Sequence, residues 1–189
     1  MPRRHVSRAG ARPRSTAALA QLRSDDAAAV LRLLLRAHPE LGAEAERLAR
    51  DQLDRVSVEA IAEDVEAALR ALDVDDLNSR AGVHDGDYTD PSEAAWALLD
   101  EAVEPHMDDV RRRLAAGMHA EALATLRGIL TGLYAVRDGG ADGSVLAWAP
   151  DWPHAAAADV VAAWRAAGQR LPARLLDRVV PDWAGTMGR

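Results

Sequence analysis

Val58, Ile61, Val65, Leu69 and Leu72 fall at steps of three and four residues. That spacing puts all five on one face of an α-helix, and no strand could bury them together. The same rhythm returns along the chain. Val30, Leu31, Leu34 and Leu35 form one stripe, Leu41, Ala45, Leu48 and Leu53 another. Ala95, Leu98, Leu99, Ala102 and Val103 follow, then Leu123, Leu126, Ile129, Leu130 and Leu133. Residues that favour strands are scarce. There is no Phe, there are 2 Tyr, and Ala and Arg are abundant, both of them helix formers. The sequence predicts an all-α fold.

Breaks between the stripes set the helix lengths. Ser15 can cap a short helix reaching Leu22, and Ser24 with Asp25 starts a second. His38-Pro39 ends it, because the residue before proline is pushed out of the α region. A third helix is expected over about 40–53, and Ser57 is a good cap for the fourth. Residues 73–81 read as a short helical turn and 82–89 as a polar loop. Asp90-Pro91-Ser92-Glu93 is the strongest helix start: an acceptor at the cap, Pro at the first helical position and an acid in the first turn. Pro105 is expected to end or kink that helix, and a further one presents Met107, Val110 and Leu114. Ala116-Gly117 reads as a tight turn. The next helix, about 120–136, holds Gly128 and Gly132. Each costs up to about 1 kcal/mol relative to Ala in an exposed helix, so close approach of a neighbouring helix is the expected reason for them. A loop over 138–144, a helix over 154–167 and a short helix over 171–180 are expected to follow. About eight or nine short helices result, few of them stable alone, so antiparallel pairs must cover each other's stripes. The expected architecture is an α-α superhelix.

The 189 residues fit one domain or two small repeat units. Residues 1–14 read as a disordered basic arm, 15–180 as a single helical domain, and 181–189 as a tail that frays unless Trp183 docks. A division of the domain into 15–81 and 90–180, joined by the polar loop, is the alternative. The net charge is −7, and every one of the 23 basic residues is Arg. Arg3, Arg4, Arg8, Arg12 and Arg14 occupy the arm without an acid, which leaves 18 Arg against 30 acids elsewhere. Such an acidic body repels duplex DNA, so nucleic acid is expected only through the arm. With no Cys, disulfides, thiolate zinc sites, Fe–S clusters and cysteine nucleophiles are excluded. Arg3-Arg4 invites a twin-arginine export reading, but the apolar stretch over 17–22 is too short for a signal core. No segment approaches the roughly 20 apolar residues of a membrane span, and a cytoplasmic protein is expected.

Several polar groups are candidate sites. His84-Asp85-Gly86-Asp87 is the most ligand-like stretch, since hard cations favour oxygen ligands at such spacing. It lacks the order and the distal Glu of a calcium-binding helix–loop–helix, and a solvated turn is the simpler reading. Glu101, Glu104, His106, Asp108 and Asp109 surround Pro105 without the spacing of a two-metal bundle. They read as an exposed acidic face answered by Arg111, Arg112 and Arg113. His119 has no Ser or Cys partner nearby in sequence. Gly139-Gly140 lacks the Lys and spacing of a phosphate loop. No catalytic residue and no cofactor is assigned. Trp148, Trp152 and Trp164 are the densest aromatic group, and they either fill the core or anchor a partner. Trp148, Trp152, Arg3 and Arg4 are the candidate partner contacts.

Leu114-Ala115-Ala116-Gly117-Met118-His119-Ala120-Glu121-Ala122-Leu123, the apolar helix after it and the Asp/Gly loop at 138–143 resemble the helical region of bacterial SWIM zinc-finger proteins. The stretch over 18–48, with His38-Pro39-Glu40-Leu41, is similar to the opening helices of that region. Tetratricopeptide-type repeats share the small-residue turn. The finger itself needs Cys ligands that this chain lacks, so zinc and finger-mediated DNA binding do not carry over. What the resemblance implies is a helical scaffold supporting partner contacts. The helix-pair pattern, together with the lack of a coherent catalytic constellation, makes the expected function a non-catalytic scaffold that binds another protein. The alternatives are an enzyme or binder whose His and Asp/Glu residues converge in space, and a nucleic-acid accessory protein that uses the arm.

Overall fold

The computed structural model describes residues 16–84, 87–140 and 143–187. These are mainly helical, with one small two-stranded sheet. The chain forms two compact units that divide between Asp51 and Gln52.

In the first unit α1 (Thr16–Leu19) precedes α2 (Ser24–Ala37), a 3-10 turn (Pro39–Leu41) and α3 (Gly42–Leu53), whose last two residues belong to the second unit. Helix α2 ends before Pro39, as the sequence requires. It contacts the Pro39–Leu41 turn more than it contacts α3. The two apolar stripes therefore do not cover each other. No residue of α2 or α3 is buried; Leu31 is 49% exposed and Leu48 53%. Of the stripe expected to face inward, Leu41 and Leu48 are exposed, which corrects that expectation, while Ala45 and Leu53 are half-buried. Helix α3 is instead braced along its polar face, where Arg47 bonds Glu44 and Asp51 and Arg50 bonds Glu46.

The second unit is built around α7 (His119–Ala135), onto which α4 (Val58–Ala71), α6 (Pro91–Ala115), α8 (Trp152–Ala166) and α9 (Leu175–Val179) pack. Buried residues of α7 include Thr125, Leu126, Ile129, Leu130 and Leu133, so it is covered on several sides, as a core helix must be. Its glycines are contact points. A Cβ on Gly128 would lie 2.6 Å from Ile61 Cβ, and one on Gly132 would lie 2.7 Å from both the Ala62 carbonyl oxygen and Val65 Cβ. The expected close approach is made by α4. On that helix Val65 and Leu69 are fully buried and Ile61 is partly so.

Caps fix the ends of these helices. Ser57 Oγ accepts from Ala60 N–H at 3.1 Å, and Asp90 Oδ1 accepts from Ser92 N–H at 2.8 Å. Asp73 caps α5 (Val74–Asn78) in a reciprocal box with Asp76. Helix α6 continues through Pro105, which corrects the expected pair of shorter helices. Pro105 is exposed, whereas Leu99, Val103, Met107 and Val110 on either side of it are buried on one continuous face. Burial of that face outweighs the one lost hydrogen bond. The expected polar loop at 82–89 contains two short strands, β1 (Gly82–His84) and β2 (Asp87–Thr89), with Val83 paired to Tyr88. This hairpin lies within the second unit, and helices from before and after it pack on one another. After α8 and α9 comes α10 (Ala184–Met187). Trp183 docks edge-on to Tyr134 at 5.1 Å and to His154 at 5.5 Å, and Met187 is buried.

Candidate functional site

Helix α8 leans on α7 more than on α6, and a trough stays open between α6 and α8. Its floor is apolar. Val103 and Met107 come from α6, and Trp152, Ala156, Val160 and Ala163 come from α8. The hollow holds about 310 Å³ and shares Met107, Arg111 and Ala163 with a neighbouring hollow of about 200 Å³. Leu114, Leu126, Trp164 and Ala167 close that second part. The cause is legible in α8 itself, whose many Ala side chains are too short to fill the space they face.

The rim is acidic. Asp100 and Glu104 stand on the α6 side and Asp159 on the α8 side, with Arg111 the cation beside them. Arg111 is held by Glu104 at 2.6 Å and Asp108 at 2.7 Å, and these hydrogen bonds push its guanidinium above its ordinary range. Asp159 makes no ion pair among the described residues. Asp100 accepts from Trp152 Nε1–H at 2.8 Å. Trp164, which lines the smaller hollow, is buried with no acceptor for its own Nε1–H. One turn away, buried Arg113 pairs with Asp109 and donates from Nε to the Leu53 carbonyl at 3.3 Å. Burial pushes that guanidinium below its ordinary range.

The candidate partner contacts separate in space. Trp148, at the end of the 3-10 turn Val145–Trp148, is 47% exposed. Trp152 is 1% exposed, so its ring belongs to the core, although it also lines the trough. Arg3, Arg4 and Asp85 lie outside the described residues. The backbones of His84 and Asp87 are paired in the β1–β2 register. Among the described residues no three His, Asp or Glu side chains gather as a metal site would require. The acidic residues around Pro105 are answered largely as the sequence suggests. Arg111 takes Glu104 and Asp108, and Arg112 and Arg113 take Asp109. Glu101 pairs instead with Arg80, through two hydrogen bonds of 2.5 and 2.7 Å. His106 is half-buried; desolvation pushes its pKa down, against the attraction of Asp64. His119 is exposed, and no histidine lines the trough. Sequence reasoning missed the trough because its walls come from helices about 50 residues apart in the chain. The one available signal was the Ala run of α8.

No family model, curated protein or solved structure matches the chain. Among the described residues no helix is long and apolar enough to cross a membrane.

Proposed function

We propose that the protein is a non-catalytic helical scaffold that binds another protein, and that the α6–α8 trough receives an amphipathic helix with basic flanks. One observation carries this reading: a continuous apolar floor bordered by Asp100, Glu104 and Asp159. An apolar trough between two helices suits the stripe of a third, in the helix-in-groove manner. The acidic border, in a chain of net charge −7, favours Arg or Lys on either side of that stripe. Such a role accords with the scaffold implied by the resemblance to the SWIM-associated helical region.

The test uses two labelled helical peptides of about four turns. One alternates Leu with Arg in amphipathic order, and the other replaces Arg by Glu. Fluorescence anisotropy should show saturable binding of the Arg peptide and at least tenfold weaker binding of the Glu peptide. Ala163 is exposed and lines both hollows, so Ala163→Trp fills the trough with little cost to the core. It should abolish binding while leaving the thermal melt intact. Equal binding of both peptides, or undiminished binding by A163W, overturns the proposal.

A further inference from the structure

A separate hollow lies where the first turn of α4 meets α7 and α9 in the second unit. It holds about 390 Å³, within the range of small-molecule sites. Val58, Leu123 and Leu175 give it an apolar wall. Two guanidiniums border it, Arg127 from α7 and Arg178 from α9, and Glu59 is the one acid among its lining residues. Neither Arg has a carboxylate partner among the described residues. Every arginine on α3, α4 and α6 pairs with a carboxylate, whereas these two do not.

The surrounding sequence points the same way. Residues 165–178 hold four Arg and one Asp, against a net charge of −7 for the whole chain. Arg174 caps α9 in a left-handed backbone conformation, with φ 61°. Its carbonyl accepts from Arg178 Nε–H at 3.2 Å. That bond occupies Nε and leaves the two terminal nitrogens of Arg178 for a ligand. A planar guanidinium matches two oxygens of one oxyanion, and a second guanidinium completes the charge balance.

We propose that the cleft between the first turn of α4, α7 and α9 binds a small organic anion. The ligand has an apolar body carrying a carboxylate or a phosphate, with Arg127 and Arg178 on the oxyanion and the Val58, Leu123 and Leu175 wall on the body. The site is independent of the α6–α8 trough and shares no residue with it.

The probe is 8-anilinonaphthalene-1-sulfonate, an aromatic body with one oxyanion, compared with N-phenyl-1-naphthylamine, the same rings without the charge. Fluorescence titration of the full chain should show one saturable site for the anion that weakens as salt rises, because the attraction is partly coulombic. The R127Q/R178Q double variant should bind the anion at least tenfold more weakly and the neutral analogue unchanged. Arg178 and Arg127 are exposed, so the variant should melt as the parent does. Thr131→Met, at another exposed lining position, should weaken the anion by filling the cleft without removing charge. The proposal is overturned if the anion does not saturate, if the double variant binds it as tightly as the parent, or if the parent binds the neutral analogue equally well.

Discussion

A Cβ atom on Gly132 would stand 2.7 Å from the carbonyl oxygen of Ala62, on the facing helix. The obstacle is backbone and cannot swing aside. Gly132→Ala should therefore destabilise the second unit by about 1–3 kcal/mol, although Ala is the better helix former. Gly128→Ala should behave alike, since it meets Ile61 Cβ and the Val58 carbonyl. Gly185 in α10 has open space around its would-be Cβ, so Gly185→Ala should be neutral or slightly stabilising. Chemical denaturation of the three variants checks this, and equal stability at all three positions would refute the contact argument.

The indole of Trp152 couples burial to a polar contact. Its ring is 1% exposed and its N–H reaches Asp100, which is itself exposed. Trp152→Ala should cost about 3–5 kcal/mol through the cavity it leaves. Trp152→Phe should cost far less, because a solvated Asp100 loses only a partner. Asp100→Ala orphans a buried donor and should cost about 1–3 kcal/mol. In a double-mutant cycle W152F and D100A should be non-additive, since both remove the same bond. Strict additivity would mean that the bond contributes nothing.

Helix identity was largely legible because burial in this chain follows a 3.6-residue period. Val65, Leu69, Leu126 and Leu130 are fully buried, and the caps at Ser57 and Asp90 bond as their residue types suggest. Gly128 and Gly132 announced the close approach of a neighbouring helix, though not that the neighbour is α4. Pro105 misled because a local rule was outweighed by a long buried face, which no short window contains. The hairpin was visible in principle, since Asp85-Gly86 between Val-His and Asp-Tyr-Thr is a two-residue hairpin signal. Exposure of the α2 and α3 stripes was not visible, because periodicity reports which residues share a face and not what covers it. The sites were least legible. Arg127 and Arg178 are about 50 positions apart, and only the packing of α9 on α7 brings them to one cleft.

His106 should make the protein sensitive to mild acid. Its imidazole is half-buried on α6, and desolvation lowers its pKa while Asp64 partly offsets this. The native state therefore holds its proton less tightly than the unfolded chain, whose His titrates near about 6.5. The stability linked to His106 is full above that pH and is lost as pH falls through the native value. Urea midpoints between about pH 7.5 and about pH 5.5 should drop more in the parent than in His106→Gln. Asp64→Asn should lower the His106 pKa further in an NMR titration, and a rise there would contradict the assignment.

Tyr134 ties the end of the chain to α7. Its hydroxyl donates to Asp182 Oδ2 at 2.5 Å, while Arg137 lies 4.3 Å over the ring. The hydrogen bond to Asp182 needs the phenol proton, so it raises the Tyr134 pKa above 10.0, and the favourable effect of Arg137 on the phenolate only partly opposes this. A raised acid pKa means that the linked stability is present below the unfolded phenol value, about 10, and is lost as pH rises through the native one. The chain has 2 Tyr, so a Tyr88→Phe background leaves Tyr134 alone to titrate. In that background the ultraviolet phenolate transition should lie above 10.0, and Asp182→Asn should move it down. The same change should loosen the edge-on stacking of Trp183 on Tyr134, since Asp182 is its chain neighbour, and should raise amide exchange over 183–187. A transition that D182N leaves in place would show that Tyr134 and Asp182 do not share a proton-dependent bond, and the tail would then be held by Trp183 and Met187 alone.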